Sequence, residues 1–338
     1  MRNSKDLQDY LRSANHMQYK QLGRTGLQVS PLCLGTANFG WMSDERESGT
    51  IMDRALETGL NFFDTANSYN HEKGENSAES IIGRWFARSS KRGKVVLATK
   101  VYATLSSWPN DGKLSARHIK QACEDSLRRL QTDYIDLYQM HHVDRNTPWD
   151  EIWQAMENLV GDGKVIYVGS CNFAGWHIAT ANSLAKQRNF MGLVSEQSPY
   201  NLTKRQAELE LIPACTGYGL GLLPYSPLAG GLLAGENKEI QEGRRGLPEV
   251  QQNREALRDQ LGRFHRLCEE IGEDQADVAL AWLLQQPGVT APVIGSRTVV
   301  QLERSVRALD VTLTQETLKS LNEIWPGPGG EAPEAYAW

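Results

Sequence analysis

The chain has 338 residues, of which 40% are hydrophobic, and its formal net charge is −5. This length suits one closed α/β barrel or two smaller domains, and the hydrophobic fraction is sufficient for a large core. The lysines and arginines are scattered and outnumbered by acids, which argues against nucleic-acid binding and against attraction to an anionic membrane.

The compartment is predicted from apolar runs and cysteines. No apolar run is long enough for a membrane helix, and residues 1–16 are polar and lack the apolar segment of a signal peptide. We expect residues 1–16 to be a loosely held extension. Five widely spaced cysteines without CxxC pairing argue for a reducing compartment and against disulfides or a zinc site. We therefore expect a cytoplasmic soluble protein.

A repeat of short apolar strands dominates the chain after a predicted N-terminal β-hairpin, Met17–Leu22 and Leu27–Ser30. The strands recur at intervals of about thirty residues, the span of one βα unit. Seven begin near Leu32, Asn61, Val95, Tyr134, Val165, Leu193 and Leu222, and the eighth is predicted at Ala291–Ile294.

Amphipathic patterns predict helices between and after these strands. The predicted helices are Gly49–Thr58, Ser77–Ala87, Ser115–Leu130, Trp149–Val160, Lys204–Cys215, Arg254–Ile271, Gln275–Gln286, Val299–Leu309 and Gln315–Ile324. Ser115 is a predicted N-cap. A loop rich in glycine and charge is expected over Ala229–Gln252.

Eight strands alternating with helices favour an α/β fold of the (β/α)8 TIM-barrel type, with the hairpin and extra helices outside the repeat. A dinucleotide-binding open sheet would carry GxGxxG after its first strand, and residues 34–41 lack that spacing. We expect one domain over residues 17–338. Its Pro/Gly-rich tail, 325–338, carries aromatic residues, so it is expected to pack over another part of the protein, such as a mouth of the barrel, although a disordered terminus remains the alternative.

Four chemically active side chains follow three successive strands. Asp64 ends the second strand, Lys100 the third, and His141 directly follows the fourth, while Tyr69 lies in the loop beyond Asp64. The carboxyl ends of parallel barrel strands share one face, with neighbours about 4.8 Å apart. We expect the lysine to lower the pKa of the phenol and make it a proton donor. Each residue alone could have a structural role, but four on one face favour a catalytic site.

The later strand ends predict a nucleotide site. Segments 168–173 and 194–200 offer neutral amides and hydroxyls suited to a carboxamide, and Tyr225 offers an aromatic face. Arg297 is a cation at a helix N-terminus after the eighth strand, where this fold binds anions. This layout fits a nicotinamide dinucleotide.

These motifs resemble those of the aldo-keto reductase family over residues 17–338. The matching segments are Asn61–Tyr69, the strand that ends at Lys100, Asp136–His141, Tyr225–Leu228 and Ile294–Arg297. The resemblance implies a catalytic tetrad of Asp64, Tyr69, Lys100 and His141. In it, Tyr69 would be the general acid of NADPH-dependent, reversible reduction of an aldehyde or ketone.

The resemblance also implies how NADP(H) is held. Asn172 and Gln197 would bind the carboxamide, Tyr225 would stack on the nicotinamide, and Arg297 and Gln301 would face the 2′-phosphate ribose and the adenine. The full set of implied cofactor residues is Thr36, Asp64, Cys171, Asn172, Gln197, Tyr225, Ser226, Pro227, Leu228, Gly230, Gly295, Ser296, Arg297 and Gln301.

Three positions depart from the family pattern. Cys171 stands where the family commonly has serine, and a thiol is the weaker hydrogen-bonding group. Glu236 replaces a lysine common after the pyrophosphate loop, so that Lys238, Arg244 or Arg245 would have to compensate for its charge. Arg304-Ser305 replaces a Glu-Asn pair at the adenine, and Arg304 favours a phosphorylated ribose.

Two other functions remain alternatives. Some proteins with this fold are cofactor-sensing β-subunits of potassium channels, although the complete tetrad favours an enzyme. A metal site formed by His141, His142 and Asp144 is disfavoured because adjacent histidines point in opposite directions. We predict no metal.

The substrate is open among sugars, aryl aldehydes and steroid-like ketones. The candidate residues for its pocket are aromatic side chains and one histidine near the strand ends. They are Phe39, Trp41, Tyr102, Trp108 and His142, and the Pro/Gly-rich tail is a further candidate. The expected partner is a small carbonyl compound, and the oligomeric state is open.

Overall fold

The structure, a computed structural model, describes residues 17–235, 246 and 248–337. The predicted extension, residues 1–16, lies outside this part of the chain, as do Glu236, Lys238, Arg244 and Arg245. The strands are β1 (Lys20–Gln21), β2 (Gln28–Val29), β3 (Cys33–Gly35), β4 (Phe62–Asp64), β5 (Val96–Val101), β6 (Ile135–Met140), β7 (Val165–Cys171), β8 (Leu193–Pro199), β9 (Gly221–Tyr225) and β10 (Val293–Ile294).

Helices fill the intervals between the strands. They are α1 (Glu45–Glu57), α2 (Ala78–Ser89), α3 (Ala116–Leu130), α4 (Trp149–Gly161), α5 (Gly175–Gln187), α6 (Leu211–Tyr218), α7 (Pro248–Ala256), α8 (Arg258–Ile271), α9 (Gln275–Leu284), α10 (Val299–Arg307), α11 (Gln315–Ile324) and α12 (Glu334–Ala337). The predicted N-cap is present, because the Ser115 side chain accepts a hydrogen bond from the His118 N–H.

Strands β3 to β10 form a parallel sheet in the order β10-β3-β4-β5-β6-β7-β8-β9. The sheet nearly closes on itself, because Leu222 of β9 forms a parallel bridge with Val289, and the Thr290 N–H donates to Leu222 O at 2.9 Å. The predicted (β/α)8 barrel is confirmed. Its parallel strands place all their carboxyl ends on one face.

The hairpin of β1 and β2 covers the opposite face, at the amino ends of the strands. Gly23, in its turn, has φ +54°, and a Cβ there would lie 2.5 Å from Val194 O at the start of β8. The Ser30 N–H donates to Asn61 Oδ1 just before β4 at 2.8 Å. Glycine is therefore required at position 23, where the turn of the hairpin lies close to the start of β8 and covers this end of the barrel.

Apolar side chains fill both sides of the sheet. Those inside the barrel, together with two from the hairpin, are Leu22, Val29, Cys33, Phe62, Val96, Ala98, Leu137, Val194, Leu223, Ala291 and Val293. Larger clusters lie between the strands and the helices. The packed interior leaves the carboxyl-end face as the place where a site can form.

Three helices differ from the sequence prediction. The α5 helix was not predicted, because its buried face consists largely of small residues such as Ala181 and Ala185. The predicted helix over 204–215 is instead a short 3-10 turn, Gln206–Glu208, followed by α6. Pro213 explains this start, because proline is tolerated in a first helical turn but not in a helix interior. The predicted helix over 254–271 is divided between α7 and α8.

The described part of the C-terminal tail packs against the barrel's outer layer. Trp325 is buried, and its ring lies 6.3 Å from that of Phe264 in α8. The Ala332 N–H donates to Leu209 O at 2.9 Å. A short helix, α12, which was not predicted from the sequence, follows at Glu334–Ala337.

Candidate active site

An ion pair between β4 and β5 is the centre of the carboxyl-end face. Lys100 Nζ lies 2.6 Å from Asp64 Oδ2, and both side chains are buried. Lys100 donates its other hydrogen bonds to Thr65 O at 2.9 Å and to the Tyr69 hydroxyl at 3.2 Å. An ammonium group has three N–H donors, so this arrangement leaves Lys100 fully satisfied and aimed at the phenol.

The other oxygen of Asp64 is held by two amides. Gln139 Nε2 donates to Asp64 Oδ1 at 3.0 Å, and Gln197 Nε2 donates to the same oxygen at 2.9 Å. Thr36, in the loop after β3, donates both its N–H and its hydroxyl to the Asp64 backbone carbonyl. The carboxylate and the backbone that carries it are therefore fixed by residues of three strands, β5, β6 and β8, and by the loop after β3.

His141 completes this cluster beside the phenol. Its backbone N–H donates to Val101 O at 2.8 Å, which continues the pairing of β5 with β6 for one residue. Its ring lies edge-on to that of Tyr69, with 6.0 Å between centroids. The structure therefore brings together all four residues of the predicted tetrad.

Burial controls the pKa values in this cluster. Burial works to lower the pKa of Lys100, but the Asp64 carboxylate outweighs it, so the Lys100 pKa is raised and the ammonium stays charged. Burial lowers the pKa of His141 to about 3, with help from the Lys100 charge, so its imidazole is neutral at pH 7.

The expected lowering of the Tyr69 pKa is wrong in sign. Burial raises this pKa, and the opposing effect of the Lys100 charge only partly offsets it. Desolvation disfavours the phenolate more than the neighbouring ammonium favours it. Tyr69 therefore keeps its proton at neutral pH, which is the state that a proton donor needs.

A second cluster, of amides and an aromatic ring, lies at the ends of β7 and β9. Asn172 has φ +60°, and its Nδ2 donates to His141 O at 3.1 Å and contacts Cys171 Sγ at 3.2 Å. Its Oδ1 accepts a hydrogen bond from the Tyr225 hydroxyl at 2.8 Å. This network ties the ring of Tyr225 to the strand that carries the tetrad histidine.

Behind Asn172 lies a fully buried acid, Glu196. Its Oε1 accepts hydrogen bonds from the Phe173 N–H at 3.0 Å and from the Ser198 hydroxyl at 2.6 Å, and Ser170 donates to its other oxygen. Burial raises the pKa of Glu196 to about 7 although these hydrogen bonds oppose the shift. Glu196 thus supports the turn that contains Asn172.

The two clusters share a cavity of about 280 Å³. Its wall combines residues of the tetrad with the amides and the aromatic ring just described. The lining residues are Gly35, Ala37, Asn38, Asp64, Tyr69, His141, Cys171, Asn172, Gln197, Tyr225, Ser226, Pro227, Val293 and Gly295. Three residues of the site were not predicted from the sequence: Asn38 in the cavity wall, and Gln139 and Glu196, which support it.

The remaining predicted cofactor residues lie outside this wall. Thr36 is buried beneath Asp64, Leu228 and Gly230 belong to the loop and 3-10 helix after β9, and Ser296 is buried. Gln301 Oε1 accepts a hydrogen bond from the Arg297 N–H at 2.9 Å, at the start of α10. Their proposed contacts would be with parts of a ligand beyond the cavity itself.

The predicted substrate residues are not gathered in the cavity wall. The prediction that Phe39 lines the substrate pocket is wrong. Its side chain has no exposed surface and packs in the apolar cluster around Leu34 and Phe63. Trp41 and Trp108 are exposed on the loops after β3 and β5, by 49% and 78%.

Tyr102 and His142 are near each other, with ring centroids 5.3 Å apart.

Asp144, the third residue of the disfavoured metal site, accepts hydrogen bonds from the Thr147 hydroxyl and the Asn146 N–H. Across the described residues, no group of three or more potential metal ligands occurs. Within the same part of the chain, no helix is both long and apolar enough to span a membrane.

Comparisons with known proteins identify the family. A profile of the aldo/keto reductase family matches residues 31–326. An uncharacterized oxidoreductase, YrpG, of Bacillus subtilis is 54% identical and covers 95% of this chain and 100% of its own. An aryl-alcohol dehydrogenase [NADP(+)] of Phanerodontia chrysosporium is 31% identical, covering 89% of this chain and 84% of its own. A probable voltage-gated potassium channel subunit beta of Oryza sativa subsp. japonica is 33% identical, covering 91% and 96%.

Fold and site together define a (β/α)8-barrel protein with a cavity, lined by both polar and apolar residues, at the carboxyl ends of its strands. The family match and the oxidoreductases among the relatives support an oxidoreductase. The chain belongs to the aldo/keto reductase family.

Proposed function

We propose that this protein reduces an aldehyde or ketone to an alcohol with NADPH, and that Tyr69 donates the proton. The observation that carries this proposal is the chain of contacts Asp64–Lys100–Tyr69, with distances of 2.6 and 3.2 Å, beside the cavity. A phenol that keeps its proton next to a fixed ammonium suits the protonation of a developing alkoxide.

The residues present fit a nicotinamide dinucleotide. Gln197 Nε2 is committed to Asp64. Among the described residues, the donor to its Oε1 is the weakly donating Cys171 thiol at 4.0 Å, so this oxygen can accept an N–H from a carboxamide. Tyr225 presents an aromatic face to the same cavity. The buried Ser296 hydroxyl has no hydrogen-bond partner among the described residues, which suits a polar ligand near the eighth strand.

When bound, NADPH supplies the hydride. Tyr69 gives its proton to the substrate oxygen, and Lys100 stabilises the phenolate that remains. The neutral His141 imidazole orients the substrate oxygen, and Asp64 holds Lys100 in place. In the reverse direction the Tyr69 phenolate takes the proton back from the alcohol hydroxyl.

Two arginines favour NADPH over NADH in this proposal. Arg297 stands before α10, and the exposed Arg304 lies on it. Guanidinium groups bind phosphates in forked geometry, which suits a 2′-phosphate. The name of the fungal relative with NADP(+) supports the same cofactor. Five free, buried cysteines support a reducing, cytoplasmic location.

Turnover of NADPH with a panel of aldehydes and ketones tests the reaction. We expect Tyr69→Phe to lower kcat at least about a hundredfold, because general acid catalysis contributes on that order. Tyr19→Phe is the matched control, because this exposed phenol lies on the hairpin at the other end of the barrel. A Tyr69→Phe protein as active as the parent would refute the assignment.

The alternative function is a cofactor-sensing subunit with little turnover, and the relatives named as potassium channel β-subunits are the observation in its favour. The intact Asp64–Lys100–Tyr69 chain supports the enzyme. NADPH binding without turnover, together with co-purification of a membrane channel, would favour the alternative.

A further inference from the structure

We infer that Gln139 is a positioning residue, whose amide holds the Asp64 carboxylate in the orientation that keeps Lys100 against Tyr69. This inference rests on the proposed function. Gln139 lies in β6, where it pairs with Lys100 of β5 on one side and with Gly169 of β7 on the other. It has no exposed surface, and its Nε2 donates to Asp64 Oδ1 at 3.0 Å.

The two carboxylate oxygens of Asp64 have different hydrogen-bond donors. Oδ2 accepts from Lys100 at 2.6 Å, and the donors to Oδ1 among the described residues are amides, those of Gln139 and Gln197. A buried carboxylate needs donors on both oxygens to offset its desolvation. The amides on Oδ1 therefore determine the rotation of the carboxylate, and with it the direction of Oδ2 toward Lys100.

The two amides differ in their relation to the cavity. Gln197 lines the cavity and is a predicted cofactor contact, whereas Gln139 does not line it. The hydrogen bond from Gln139 to Asp64 therefore does not depend on what occupies the cavity. Removing it should disturb the tetrad without removing a ligand contact.

The packing of Gln139 supports a fixed conformation. A Cβ built at Gly169 would lie 3.2 Å from Gln139 Cγ and 2.4 Å from Ser195 Oγ. The glycine thus gives the glutamine stem its space between β5 and β7. A side chain confined in this way can position its amide without losing further conformational freedom.

Gln139→Met tests the inference, because methionine keeps the length and most of the volume but lacks the amide. We expect kcat to fall roughly tenfold to a hundredfold, since small misplacements of catalytic groups have effects of that size. The dissociation constant for NADPH, measured by fluorescence titration, should stay unchanged. Gln197→Met, which alters a lining residue, should change both quantities.

Tyr138→Phe is the matched control. It lies next to Gln139 on the same strand, but its hydroxyl donates outward to Ile119 O of α3. We expect it to keep the parental kcat although it too loses a buried hydrogen bond. A loss of kcat in both variants, with equal losses of stability in denaturant, would mean that the effect is structural and would overturn the inference.

Crystal structures separate this inference from the proposed function. In Gln139→Met we expect Asp64 to rotate and the 3.2 Å distance from Lys100 Nζ to Tyr69 OH to lengthen. If the parent protein reduces no carbonyl compound, the proposed function fails, while this distance still tests the positioning role. An unchanged distance, or an unchanged kcat in an active enzyme, overturns the inference alone.

Discussion

The hydroxyl of Tyr225 donates a 2.8 Å hydrogen bond to Asn172 Oδ1, and this contact joins the end of β9 to the end of β7 in the wall of the cavity. Asn172 occupies the left-handed region at φ +60°, which asparagine tolerates better than most residues. The aromatic face is therefore oriented before any ligand binds.

Tyr225→Phe should weaken NADP(H) binding while leaving kcat close to the parental value. The ring remains, but the hydrogen bond that orients it is lost, and a net hydrogen bond is worth about 1 kcal/mol, or roughly fivefold in affinity. Fluorescence titration of the dissociation constant is the measurement. Tyr218→Phe, at the end of α6, serves as control, and equal dissociation constants for the two variants would contradict the role of the contact.

Lys100→Met should abolish turnover and destabilise the fold by about 3–5 kcal/mol, because it leaves the Asp64 carboxylate buried without its cation. The double variant Asp64→Asn/Lys100→Met should recover much of that stability but none of the activity. Denaturant unfolding and NADPH turnover measure the two effects. If the double variant were no more stable than Lys100→Met, the unpaired charge would not be the cause.

Glu196→Gln should make stability less dependent on pH. Burial raises the pKa of Glu196 from 4.5 in its ordinary state to about 7 in the folded protein, so the unfolded chain releases this proton first as pH rises. The stabilisation that Glu196 contributes to the folded protein is complete below pH 4.5. It declines by on the order of 3 kcal/mol as pH rises through 7.

Urea unfolding between pH 4.5 and 8 should show this decline in the parent and a flatter curve in the variant. Glu255→Gln, an exposed acid paired with Arg258, is the control and should follow the parental curve. Parallel curves for the parent and Glu196→Gln would show that Glu196 ionises normally.

Cys171→Ser should tighten NADP(H) binding several-fold. The thiol lies in the cavity wall, 3.2 Å from Asn172 Nδ2, and a hydroxyl is the stronger donor and acceptor in the same place. Cys215→Ser, which alters a buried thiol in α6, should leave the dissociation constant unchanged even if it lowers stability. Weaker binding by Cys171→Ser would indicate that the thiol packs against the ligand rather than bonding to it.

Sequence alone determined the barrel and predicted most of the candidate site. Strands at intervals of about thirty residues predict βα units, and parallel strands bring their carboxyl ends together, so Asp64, Lys100 and His141 could be assigned to one cluster before any coordinates. Tyr69 followed from its place five residues beyond Asp64. These inferences depend on covalent order and strand direction, which are visible in the chain.

Only the tertiary structure decided what depends on burial and on contacts between distant residues. The pKa of Tyr69 rises because desolvation outweighs the Lys100 charge, and no sequence pattern measures desolvation. Phe39 packs in the core instead of the cavity, and no sequence pattern shows this burial either. Gln139 reaches Asp64 across 75 positions of the chain, a contact that only the closed sheet creates.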